Sequence, residues 1–501
     1  MNQLLTMRSS LLFGLLWYFF VPNCQAAYRY EFTSAVRVAY QSVLNMRFDE
    51  ATLQLAQIRK TDPENLMSYF VENYMDVLRV FVSEKETDYK SLSPKESSRL
   101  EMLSRGPASS PYRLYTQAHI KLLWAVTGLK FGAYTGAFTR VKEAYALLEK
   151  NQKSFPTFMP NKMGLGVLHA AIGNIPDQYK WGVKNLIGLD GTVKQGMGEI
   201  EQVLTFAQTN AFDFEREAVV MYAFLVLHLN NNTQKAWTTI SNSKFDPTVS
   251  PLACFAVANV AMRTGHNDKA IEILQKRPTG AAFYPVHFLD YMLGEAKLYR
   301  MDSDAGTYFT RFLANFKGQN YIKAAYQRLA WSQYLLGDMV GYRKQMELLK
   351  TRGTTKIGAD QNASQEAKLG KLPNIYLLKA RLMFDGGYFS KAYEYLQTKS
   401  AADFSTNKAH SLEYQYRMGR ITHQLGKTNQ ALAYYQQTIN DGKSEKYYFA
   451  CNAALRSAEI YESQKNKPKA REYFNLCLSL EPDEHADGLH TLAKAGLQRV
   501  K

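Results

Sequence analysis

The chain has 501 residues, 46% of them hydrophobic and including 33 Tyr and 27 Phe, with a formal net charge of +16. A chain this long exceeds what one hydrophobic core fills, and so much apolar material argues against disorder, so several domains or a stack of repeats are expected. The cations are interspersed with acids and form no block of about five or six, which disfavours a nucleic-acid face and leaves a solvated basic surface, open to acidic partners or to peripheral contact with an anionic membrane.

Residues 1–26 carry one cation, Arg8, no acid, and an apolar run over 11–21 that includes Gly14 and Trp17. Cys24 and Ala26 occupy the small-residue positions ahead of a signal-peptidase cut, and the run is short for a bilayer span. The pattern predicts an export signal removed after Ala26 rather than a retained anchor, and Asn23 is bulky for the position before a lipid-bearing cysteine. Losing Arg8 brings the formal charge to +15. No later apolar run reaches the roughly 18 residues of a membrane helix, so a soluble exported protein, in the periplasm or at the cell surface, is expected. Cys254, Cys451 and Cys477 then remain, an odd and sparse set that gives no disulfide framework; each lies in a helical pattern, as a small core hydrophobe does.

Residues 27–153 read as helical hairpins with one clear unit, in which Ala39, Ala51, Leu55, Ile58 and Pro63 stand at offsets of 0, 12, 16, 19 and 24. Residues 154–212 contain Pro156, Pro160, Gly164, Gly166, Gly173, Pro176, Gly182, Gly188 and Gly191 among apolar side chains, too much punctuation for a simple hairpin, and are expected to form a Gly/Pro-rich insertion with a connecting helix. Residues 213–350 return to helical hairpins, with a unit at Ala258, Gly265, Ala270, Leu274 and Pro278, then helical periodicity over 289–299, 305–316 and 321–336 and a turn at Gly337 and Asp338. Residues 351–373 are polar, hold Gly353, Gly358 and Gly370, and are expected to be a long loop.

Residues 374–501 hold three units in strict register. Ala392, Ala431 and Ala470 are 39 residues apart, and Ala380, Gly419 and Ala458 each precede them by twelve. Turns at Asp385-Gly386-Gly387, Gly426-Lys427 and Asn466-Lys467-Pro468 separate the paired helices, and the last unit repeats the N-terminal template through Ala458, Ala470, Phe474, Cys477 and Pro482. Small residues on two helices let their backbones approach, a large residue four further on fills the groove beside them, and proline ends the second helix. These positions resemble the tetratricopeptide (TPR) repeat. The resemblance implies an all-α, TPR-like helical-hairpin solenoid, with a spacing longer than the usual period of about 34 residues. Only the first and last units keep the proline at offset 24, and Pro278 comes four residues early. The glycine-rich stretch from Met163, Gly164, Leu165, Gly166, Val167 and Leu168 to Gly188 and Gly191, followed by a regular helical half, also resembles the eukaryotic TPR family of inclusion-body-clearance and lipid-droplet-associated proteins, which lends no catalytic residues.

Catalytic signatures are not found. Gly426-Lys427-Thr428 and Gly442-Lys443-Ser444 lack the second glycine of a phosphate loop, having Ile421 and Gln437 there, and read as a turn and a linker. His485 and His490, near Asp483, Glu484 and Asp487, are five apart and so do not share a helical face, and no metal motif or nucleophile elbow occurs. Cys254 is a better core residue than nucleophile. No catalytic residue, metal or cofactor is expected, and a hydrolase would need a site assembled from distant residues.

The TPR resemblance implies that the first helix of each hairpin lines a concave face, with the residue after the small one pointing into it. Those residues are Asn259, Arg381, Arg420 and Glu459, with Arg263 and His423 one turn beyond two of them. Arg381 and Arg420 are equivalent, and such a ladder either grips carboxylates in bidentate geometry or pairs with neighbouring repeats. The expectation is an exported scaffold, not an enzyme, that binds a protein or peptide. The alternative is a carrier or sensor of an apolar ligand held near residues 154–200. The oligomeric state is not encoded in these features.

Overall fold

In a computed structural model of the protein, which describes residues 27–175, 188–229 and 232–500, all regular structure is helical apart from one isolated parallel bridge between Arg29 and Asn65. The expected export signal lies outside the described residues, as do Pro176 and Gly182. The N-terminal helices are α1 (Ser34–Leu44), α2 (Phe48–Thr61), α3 (Met67–Ser83), α4 (Glu86–Leu92), α5 (Lys95–Ser104), α6 (Tyr112–Lys130) and α7 (Tyr134–Ser154). They are followed by α8 (Met159–Gly173), α9 (Val193–Thr209), α10 (Glu215–Leu229), α11 (Thr233–Ser241), α12 (Pro251–Arg263) and α13 (Asn267–Gln275). Next come α14 (Phe288–Tyr299), α15 (Ala305–Asn315), α16 (Ile322–Leu335), α17 (Met339–Thr351) and α18 (Gly358–Leu369). The C-terminal array is α19 (Ile375–Asp385), α20 (Phe389–Leu396), α21 (Lys408–Gln424), α22 (Thr428–Gly442), α23 (Phe449–Ser463), α24 (Lys467–Ser479) and α25 (Ala486–Arg499).

The alanines of the template sit where the paired helices touch. Ala39 and Ala51, Ala258 and Ala270, Ala380 and Ala392, and Ala458 and Ala470 are all fully buried, and Leu55, Leu274, Leu396 and Phe474 fill the groove four residues after the second alanine. At Gly419 a Cβ would stand 2.7 Å from the Tyr435 ring, so the bulkier filler of that hairpin demands glycine opposite it. Each hairpin thus buries one stripe internally and leaves another for its neighbour.

Two expectations about irregular segments are corrected. Residues 159–173, within the expected insertion, are the regular helix α8: Phe158 precedes it, and Pro160 lies in its first turn, where a backbone N–H has no intrahelical partner to lose. Its glycines make a close helix crossing with α9. A Cβ on Gly166 would meet the Gly196 carbonyl oxygen at 2.9 Å, and one on Gly196 would meet the Gly166 oxygen at 2.2 Å. The polar stretch 351–373, expected as a loop, contains α18, whose buried face is Asp360, Ala363 and Ala367. Asp360 caps α16 from outside it, its carboxylate accepting from Tyr321 N (2.7 Å) and Ala324 N (2.9 Å). Residues 351–352 still belong to the end of α17 and its cap.

The N-terminal helices fold back onto the central ones. Ser250 Oγ donates to the Leu44 carbonyl (2.8 Å), Tyr284 N to the Met46 carbonyl (2.7 Å), and Asn320 Nδ2 to buried Glu84 (2.8 Å), which also pairs with Lys130. Beneath this contact lies an aromatic core in which Phe214 meets Phe32, Tyr40, Phe70 and Tyr115 edge-on. None of the described helices is long and apolar enough to cross a membrane.

Candidate binding groove

The first helices of successive hairpins carry a recurring arginine followed three residues later by a ring: Arg328 and Trp331 on α16, Arg381 and Phe384 on α19, Arg420 and His423 on α21. Three residues is close to one helical turn, so both side chains of a pair share a face. Stacking the hairpins brings the arginine of one repeat over the ring of the one before. The Arg381 guanidinium lies 4.9 Å from the centre of the Trp331 indole, and Arg420 lies 4.6 Å from the Phe384 ring. Arg328 shares the same indole at 4.9 Å. The series ends at α23, where the equivalent of Arg381 and Arg420 is Glu459, which raises the basicity of His423 against the larger opposing effect of burial. Burial therefore keeps the His423 imidazole below its ordinary pKa.

Stacking leaves the guanidinium edges free for other partners. Arg420 Nη1 donates to the Tyr416 hydroxyl (3.0 Å), and no ion pair holds Arg420 among the described residues. The one ion pair of Arg381 among the described residues is a long contact to Asp385, 3.8 Å. Their neighbours are consumed more fully: Arg417 pairs with Glu413 on its own helix, Arg456 with Glu459 (2.7 Å), and Arg328 approaches Glu295 of α14 at 3.5 Å. The Trp331 indole N–H donates to Glu366 of α18 (2.8 Å), which also accepts from Gln327 (2.6 Å), so the helix that replaces the expected loop fixes the first ring of the series. Tyr448 closes the far side beside Arg417, and burial pushes its hydroxyl up to about 12.

Of the six residues marked in the sequence, the structure thus brings four into one series, Arg381, Arg420, His423 and Glu459. His423 turns partly into its own hairpin, with Nδ1 3.4 Å from the Tyr435 hydroxyl. Asn259 and Arg263 stand apart on α12. The Asn259 side-chain oxygen is buried with no hydrogen-bond partner among the described residues, and Arg263 is exposed at the helix end. Trp331, Phe384 and Arg328 were missed, although the arginine-and-ring pairs three residues apart mark them. The segment proposed to hold an apolar ligand spends Gly166, Gly173, Gly191 and Gly196 on backbone contacts within its own helix pair and the adjoining residues.

The tetratricopeptide repeat family model matches residues 412–440 and 452–484, which span α21 with α22 and α23 with α24. No curated protein matches the chain. Among solved structures it is similar to a human IFIT1 dimer with m7Gppp-AAAA, at 15% identity over 82% of this chain and 90% of that one, with a TM-score of 0.36. It is also similar to the APC/C hetero-tetramer Cut9-Hcn1, at 11% identity over 94% and 99% with a TM-score of 0.25, and to yeast Tom70, at 12% identity over 92% and 95% with a TM-score of 0.21. The chain, helical throughout its described regular structure, carries tetratricopeptide repeats at residues 412–440 and 452–484, where the family model matches it.

Proposed function

We propose that the protein is an exported scaffold, without catalytic activity of its own, that holds a peptide or partner helix against the first helices of its C-terminal hairpins. Tetratricopeptide scaffolds commonly mediate protein interactions through an extended inner surface. One observation carries the reading: Arg381 and Arg420, equivalent residues 39 positions apart, are stacked on rings of the preceding repeat, yet neither is tightly held by a carboxylate. A stacked guanidinium is oriented before its partner arrives, so less side-chain entropy is lost when it grips a carboxylate in bidentate fashion. The ligand that fits is a segment bearing acidic side chains, or a terminal carboxylate, spaced to meet successive repeats.

The test is affinity capture from native soluble and membrane fractions with the wild-type chain and with Arg381→Glu/Arg420→Glu. Circular dichroism of both proteins establishes that the helices are intact. The double variant should lose the captured partner; retention at wild-type level rejects this surface as the site. Export is tested separately by N-terminal sequencing of the protein recovered from its native compartment. The mature chain should begin at Ala27.

A further inference from the structure

The last matched repeat contains a feature that the groove does not use. Cys451 on α23 lies seven residues before Ala458, and Cys477 on α24 lies seven after Ala470. In two antiparallel helices that touch at Ala458 and Ala470, equal steps of two turns in opposite chain directions lead to positions facing each other. The structure bears this out, with the two Sγ atoms 3.5 Å apart and both residues buried. The same two steps in the preceding repeat lead to Leu412 and Thr438, and in the one before it to Pro373 and Lys399, so the repeat template itself does not call for cysteine there.

We infer that Cys451 and Cys477 form a redox-active dithiol, which closes to a disulfide by exchange with a low-molecular-weight disulfide of the glutathione type. The Cys451 thiolate attacks one sulfur of oxidised glutathione, and one glutathione thiolate leaves. Cys477 then attacks the Cys451 sulfur of the mixed disulfide and releases the second glutathione. Two electrons pass from the protein thiols to the small disulfide, and the two thiol protons end on the two departing glutathiones. Because the sulfurs already touch, closure needs a movement of about 1.5 Å shared between two side chains to reach disulfide bonding distance.

The surroundings assign the roles. A hydrogen bond from Cys477 favours the Cys451 thiolate, and nearby His490 favours it further, so Cys451 titrates below an ordinary cysteine and is the attacking sulfur. His490 is anchored on α25 with Nε2 2.9 Å from the Leu480 carbonyl oxygen. Cys254, equally buried, has no second sulfur beside it: its thiol lies 3.8 Å from the Ile273 carbonyl oxygen, and burial pushes it up to about 12. Access to the pair comes by local opening of α25, which packs on both α23 and α24 and whose Leu489 carbonyl oxygen lies 3.9 Å from Cys477 Sγ. Once closed, the bridge ties α24 to α23, the helix that carries Arg456 and Glu459.

The full chain is equilibrated in a reduced and oxidised glutathione mixture in two arms, once folded and once during refolding from urea, then alkylated and mapped by mass spectrometry. The expected result is a peptide pair joined through Cys451 and Cys477 that dithiothreitol separates, with Cys254 alkylated, and a melting temperature about 3 °C higher for the oxidised protein. Cys477→Ala should lack both the linked peptide and the rise. Alkylation of both cysteines in both arms overturns the inference, as does a bridge to Cys254 or a persistent glutathione adduct; a bridge without any rise in melting temperature overturns the stapling of the hairpin.

Discussion

Glu217→Gln tests the energetics of the N-terminal core. Glu217 lies in the first turn of α10, buried against the aromatic cluster; one carboxyl oxygen is 3.5 Å from the Tyr74 hydroxyl and the other has no partner among the described residues. Burial raises its pKa from 4.5 to about 8, while burial lowers that of His119, stacked on the same Tyr74 ring, from 6.5 to about 4. For Glu217 the folded state keeps a proton that the unfolded chain has released, so stability falls with rising pH between 4.5 and 8. For His119 the unfolded chain binds the extra proton, so stability rises with pH between 4 and 6.5. The two slopes oppose each other up to pH 6.5, and above it only Glu217 acts, at about 1.4 kcal/mol per pH unit. The wild type should therefore lose roughly 2 kcal/mol between pH 6.5 and 8, and Glu217→Gln, which keeps the shape without the titration, should lose little. Urea denaturation followed by circular dichroism at pH 6.5, 7.25 and 8 measures the difference. Parallel pH dependence in the two proteins would refute the assignment of the loss to this carboxyl.

Other substitutions probe the packing and the groove. Gly196→Ala places a methyl within van der Waals overlap of the Gly166 carbonyl, so the α8 and α9 pair must separate; a destabilisation of about 2 kcal/mol or more is expected in urea denaturation, whereas Gly198→Ala in the same helix, where a Cβ meets nothing, should stabilise by up to about 1 kcal/mol. Asp360→Ala removes the carboxylate that caps α16 and should cost about 1 to 3 kcal/mol by the same measurement. Phe384→Leu keeps the apolar bulk but removes the ring beneath Arg420; partner affinity measured by titration calorimetry should fall roughly threefold, with the melting temperature little changed.

The hairpin architecture was legible because its defining contacts are made by the smallest side chains, and small residues at a fixed offset leave a clear trace. Ala39 with Ala51 and Ala458 with Ala470 show the same offset in the sequence and the same full burial in the structure. The errors came from residues that have two structural uses. Gly166 was read as part of a punctuation too heavy for a simple hairpin, but where it crosses Gly196 the value of both glycines is that they lack a side chain, which outweighs the modest propensity cost of glycine in a helix. The helix α18 was hidden because its buried stripe is Asp360, Ala363 and Ala367, with no large apolar side chain to produce a visible periodicity.

The groove was legible in part for a related reason. Spacing alone marked Arg381 and Arg420 as equivalents, because the array from α19 onward keeps its period of 39 residues. Trp331 stands 53 residues before Phe384, since the segment holding α18 is inserted between their hairpins, and that break in period concealed the first ring of the series. The inserted helix also explains why the series begins there. Glu366 of α18 accepts the Trp331 indole N–H, so the segment that interrupts the sequence repeat is what holds the ring on which Arg381 stacks. At the other end, the same equivalent position changes from arginine to Glu459, already paired with Arg456. The two stacked arginines, neither of them tightly held by a carboxylate, are thus bounded on one side by a fixed indole and on the other by a closed ion pair, which limits the span a bound acidic segment would cover to the hairpins of α19 and α21.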